Sequence, residues 1–91
     1  MAVLAPTRGQ HRPIDRDYWL AHCEGYRVEG AAGRIGFVDE VRPGGLLAVR
    51  AGVLGRRVLI FDPADVVEIV PRAKLVYLDS SARPVATEPG A

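Results

Sequence analysis

The chain has 91 residues, room for one domain, which at this size buries only about 60% of the surface its unfolded chain exposes. Hydrophobic residues make up 48% and charged residues 25%, values of a folded domain and not of a disordered chain. A formal net charge of +1, with acids interspersed among the arginines, lacks the clustered basic excess of a dedicated nucleic-acid binder. The single cysteine, Cys23, excludes an intramolecular disulfide and points to a reducing compartment. Met1–Pro6 is too short for the apolar region of a signal peptide, and no apolar run approaches the roughly 20 residues that span a bilayer. A cytoplasmic protein without membrane insertion is expected.

In chain order, residues 1–13 carry Pro6, Gly9 and Pro13 without apolar periodicity and read as a flexible tail. Ile14–Cys23 reads as a short helix. Asp15 is its N-cap, Asp17 adds negative charge to the first turn, Ile14 and Trp19 form a hydrophobic staple, and Gly25 marks the stop. So short a helix is not stable alone, so Trp19 and Leu20 are expected to rest on the rest of the fold.

A β pattern follows. Tyr26–Glu29 and Arg34–Val41 flank the loop Gly30-Ala31-Ala32-Gly33, whose glycines allow the positive φ of a hairpin turn. Pro43-Gly44-Gly45 is a turn, Leu46–Arg50 a strand, Ala51–Gly55 a glycine-bounded turn and Arg56–Phe61 a strand. Asp62-Pro63-Ala64-Asp65 reads as a compact turn capped by Asp62, followed by strand Val66–Val70, the break Pro71-Arg72 and strand Ala73–Leu78. Residues 80–91, with Pro84, Pro89 and Gly90, read as a second flexible tail, leaving a domain over 14–79. Short strands at this spacing with no crossover helix between them predict an all-β fold. The expected form is a small antiparallel barrel of about five to six strands with one short N-terminal helix.

Strict alternation puts Ile35, Phe37 and Val41 on one face of their strand and Arg34, Glu40 and Arg42 on the other. Val58-Leu59-Ile60-Phe61 and Leu75-Val76-Tyr77-Leu78 are apolar on both faces. One face of each must then be covered by the helix, a second subunit or a partner. Trp19, Leu59, Phe61, Val76 and Leu78 are accordingly the candidate protein-interface residues, and a homodimer or a complex with a protein partner the expected form.

Signals of chemistry are sparse. His22-Cys23-Glu24 sets three potential metal ligands side by side, but sequence neighbours on a helix point in different directions and no second cluster accompanies them. No catalytic residue, metal site or cofactor is assigned, and no enzyme is expected. The glycines at 30, 33 and 36 precede a strand and lack dinucleotide-fingerprint spacing, and Gly52–Arg57 lacks the lysine and hydroxyl of a phosphate loop. Asp62 and Asp65 are explained by turn capping. Arg50, Arg56, Arg57 and Arg72 make a modest basic patch, with no exposed aromatic residues interleaved to favour RNA.

Several of these segments together resemble the PRC-barrel domains. The likeness runs through Gly25-Tyr26-Arg27-Val28, Gly33-Arg34-Ile35-Gly36-Phe37-Val38-Asp39-Glu40-Val41 and Leu47-Ala48-Val49-Arg50. It continues in Val58-Leu59-Ile60-Phe61-Asp62-Pro63 and Val66-Val67-Glu68-Ile69, covering roughly Gly25 to Leu78. The helix bearing Trp19 and the short Pro43-Gly44-Gly45 turn depart from the family pattern. The resemblance implies a barrel used as an assembly module. Family members occur in a reaction-centre subunit, a ribosome-maturation factor and an archaeal cell-division protein, and the barrel itself is not catalytic in these. The expected function is therefore a non-catalytic, self-associating adaptor or scaffold. The alternative is an RNA- or ribosome-associated maturation module using the arginine patch.

Overall fold

The computed structural model describes residues 13–90, the side chains of 13–15 excepted. Helix α1 spans Pro13–Ala21. Seven strands follow: β1 Arg27–Gly30, β2 Gly33–Arg42, β3 Leu46–Ala51, β4 Arg57–Phe61, β5 Val66–Val70, β6 Leu75–Leu78 and β7 Ala86–Pro89. They form one sheet in the order β5-β6-β1-β2-β3-β4-β7. All neighbours are antiparallel except β1 and β6, which pair in parallel through Arg27–Leu75, Val28–Val76 and Glu29–Tyr77. The expected all-antiparallel barrel is thus corrected to an open mixed sheet. Within this sheet β4 pairs with β7 instead of meeting β5, so the ladder does not close.

The sheet nevertheless curls tightly. Five interstrand steps separate β4 from β5, roughly 24 Å in a flat sheet. Only Asp62–Asp65 connect them, and that link reaches about 18 Å when fully extended. Curling brings Phe61 of β4 and Val66 of β5 into one core with Val28, Val38, Leu47, Val49, Val76 and Leu78. Helix α1 is held on this body by two kinds of contact. Leu20 enters the core, and the Arg16 guanidinium donates to the carbonyls of Val66 (2.9 Å) and Pro63 (2.7 Å). No helix among the described residues is long and apolar enough to cross a membrane.

Most turn readings hold at the level of single residues. Asp62 caps its turn, its carboxylate accepting from the Ala64 amide at 2.8 Å. Gly25 does not end the helix. It lies at φ +85° in the turn closed by the Tyr26 amide on the Cys23 carbonyl, four residues after Ala21, the last residue of α1. Helix α1 begins at Pro13, so Asp15 lies within its first turn and not at the cap, and Pro13 belongs to the helix and not to the expected tail over 1–13. The Ile14–Trp19 staple rests on the Ile14 side chain, which lies outside the described residues, as do residues 1–12. The stretch 80–91, expected as a flexible tail, contributes β7.

Alternation along the strands is interrupted by bulges. Ile35 is an extra residue between the pairs Val28–Gly36 and Glu29–Arg34, and Asp39 another between Val38–Val49 and Glu40–Ala48. Each bulge shifts the side-chain phase by one residue. Ile35, Val38 and Val41, spaced by three, therefore contact the core. Phe37, expected inside with Ile35 and Val41, is turned outward and remains 47% exposed.

The outer face of β3 and β4 is covered from within the chain. Ala48, Val58 and Ile60 form a second buried cluster with Leu46 against it. By register, Arg42 stands beside Leu46 and Glu88 beside Val58 on that same face. Arg42 of β2 reaches across β3 and β4 to hold Glu88 of β7 bidentately, at 2.7 and 2.9 Å, and also binds Glu40 at 2.8 Å. The aliphatic stems of Arg42 and Glu88 thus lie over the strip that the sequence leaves in need of a cover, and β7 pairs along its edge.

Candidate functional site

Among the described residues, the most exposed large apolar side chains lie at the β3–β4 turn. Gly52 (φ +85°) and Gly55 (φ +64°) bracket Val53 and Leu54, and the Gly55 amide closes the turn on the Gly52 carbonyl at 3.1 Å. With the flanking glycines supplying the reversal, neither apolar side chain folds back, and Val53 and Leu54 are 82% and 81% exposed. Leu54 itself adopts φ +61°, a conformation unfavourable to a branched side chain.

This tip borders a groove of about 410 Å³, lined by residues 34–39 of β2 and by Arg50, Ala51, Gly52 and Gly55. Close approach of two strands builds its floor. A Cβ on Gly36 would stand 2.2 Å from the Arg50 carbonyl oxygen, so only glycine fits there. Phe37 lies outward in the groove wall, and the Arg34 guanidinium sits 5.7 Å from its ring centroid, within cation–π range. Arg50 donates to Asp39 at 3.3 and 3.4 Å and to the Gly55 carbonyl at 3.0 Å. The carboxylate in the groove is therefore already engaged. Arg57 crosses the turn, its Nε 3.3 Å from where a Cβ of Gly52 would stand. Among the described residues, Arg34, Arg56 and Arg57 take part in none of the ion pairs, which instead use Arg27, Arg42 and Arg50.

The residues expected at a protein interface are distributed differently. Phe61, Val76 and Leu78 belong to the core, with Val76 wholly buried, so they present no surface to a partner. Leu59 is half-buried against the same core. Trp19 is half-buried on α1, edge-on to the exposed Tyr18, their ring centroids 4.9 Å apart. The correction has one cause. Curling buries the inner faces of β4 and β6, while the Arg42–Glu88 pair crosses the outer face of β4.

Three of the four arginines of the expected basic patch meet at the β3–β4 turn, and Arg72 lies apart from them. Arg50 is on β3 and committed to Asp39. Arg56 and Arg57 are exposed at the start of β4, and Arg72 is exposed in the turn between β5 and β6. His22, Cys23 and Glu24 diverge. Cys23 is buried, which pushes its thiol up to about 11, whereas His22 and Glu24 are exposed. The His22 ring stacks on Tyr18, centroids 4.3 Å apart. No group of three or more His, Cys, Asp and Glu side chains among the described residues is arranged to hold a metal ion.

Sequence reasoning passed over Val53, Leu54 and Phe37. The signal for the first two was available: two large apolar residues between turn glycines, where polar residues are usual. The signal for Phe37 was hidden by the bulges. Comparison with family models, with curated proteins and with solved structures finds no match to this chain.

Proposed function

We propose that the protein is a non-catalytic interaction module, a PRC-barrel-like adaptor or scaffold working by protein contact. The observation that carries this reading is the Val53–Leu54 tip, apolar and more than four-fifths exposed, beside a groove walled by the half-exposed Phe37. Contiguous apolar surface on a soluble domain is characteristic of contact sites. The strands first expected to mediate self-association are buried within the chain, so the contact surface moves to the β3–β4 turn.

A photo-crosslinking residue placed at Val53, with a control at exposed Arg83, tests the reading in extracts of the cells that make the protein. The expected result is a discrete polypeptide adduct from position 53, absent from position 83 and lost when Phe37 is changed to Ser. Absence of any polypeptide adduct from position 53, a second copy included, overturns it. Adducts to RNA instead would favour the arginine-based alternative, which rests on exposed Arg56, Arg57 and Arg72.

A further inference from the structure

Building on the contact reading above, we infer that the groove between β2 and the β3–β4 turn receives an extended acidic protein segment carrying an aliphatic side chain. Two independent features of the surface combine there. The first is apolar: Phe37 lines the groove, and Val53 and Leu54 stand exposed on the turn between the lining residues Gly52 and Gly55. A volume of about 410 Å³ lies within the range of roughly 300–1,000 Å³ typical of specific binding sites.

The second feature is charge. Arg34 lies over Phe37 and Arg57 lies over Gly52, both beside residues that line the groove, while Arg56 is exposed on the same turn outside that lining. None of these three joins an ion pair among the described residues, whereas Asp39, the carboxylate of the groove, is neutralised by Arg50. The groove therefore presents an uncompensated positive rim around an apolar centre. Complementarity calls for carboxylates flanking an apolar side chain. Arginine is also suited to bidentate capture of carboxylates.

The same features disfavour other occupants. A second copy docking symmetrically would set Arg34, Arg56 and Arg57 against their own like charges. Single-stranded RNA binds through successive bases stacked on exposed aromatic rings. Here the groove offers one such ring, Phe37, already faced by Arg34, and the rim beside it is aliphatic.

The test uses the full chain and fluorescence anisotropy with four labelled probes. These are a short peptide with a central leucine pair flanked by glutamates, its lysine-flanked counterpart, a version with serines in place of the leucines, and oligouridylate. Only the glutamate–leucine peptide is expected to bind well. Either Leu54→Asn or the charge reversal Arg34→Glu is expected to weaken it about tenfold or more. Asn tolerates the positive φ at position 54 and no core contact is lost, so Leu54→Asn stays folded, as circular dichroism would verify. No binding of the glutamate–leucine peptide, equal binding of the lysine peptide, or a preference for oligouridylate each overturns the proposal. The crosslinking result at Val53 is separate. Polypeptide adducts there without binding of the acidic probe would retain a contact module and reject this partner chemistry.

Discussion

Gly36 and Phe37 are neighbours on β2 with opposite constraints. Gly36 is pressed between strands, where an added methyl group would meet the Arg50 carbonyl at 2.2 Å, a backbone atom that has little room to move. Gly36→Ala is therefore expected to destabilise the fold by roughly 1–3 kcal/mol, the usual cost of overpacking, seen as a lower denaturant midpoint. An unchanged midpoint would show that β2 and β3 separate easily at this point. Phe37 faces outward because Ile35 and Asp39 are each an extra residue in a ladder. An extra residue leaves no mark in composition, so the inward-facing set was legible only in part: Ile35 and Val41 were assigned to the core side, and Phe37 with them in error.

At the scale of elements, turns and strands written in Gly, Pro and Asp were readable to within a residue or two, because these residues restrict φ or cap amides locally. β7 was not. Ala86-Thr87-Glu88-Pro89 has no strand composition, and its place depends on a distant partner, the bidentate Arg42. That pair makes the edge of the sheet sensitive to acid. The hydrogen bonds from Arg42 hold the Glu88 carboxyl below its ordinary value of 4.5 in the folded protein. A carboxyl depressed on folding contributes stability that is present above its unfolded value and is lost as pH falls through the folded one. Glu88→Gln should therefore lower the melting temperature at neutral pH, with the deficit shrinking once pH drops below about 4.5. An unchanged melting temperature at neutral pH would mean that β7 is held by its backbone pairing alone.

For the molecule as a whole, one core inside a curled sheet replaces the expected arrangement of a barrel with a bare outer face. The difference can be tested at Leu78. A residue on an exposed interface tolerates a charge, but Leu78 is only 5% exposed within the core. Leu78→Glu is expected to cost several kcal/mol, roughly 3–5, as an uncompensated buried charge does. That is comparable to the total stability of a small domain, so loss of circular dichroism signal is the expected outcome. A folded variant with altered assembly would instead restore β6 as an interface strand. The parallel β1–β6 pair was beyond local reading, since it depends on how the chain closes and not on any segment. It also has a kinetic meaning. The meander from β1 to β4 forms between sequence neighbours, whereas Arg27 meets Leu75 only by closing a long loop of intervening chain. Loop-closure entropy is spent before that contact returns anything. Weakening the β1–β6 pairing is therefore expected to slow folding more than weakening the β1–β2 hairpin by the same amount, as refolding rates of variants at Val76 and within β2 would show.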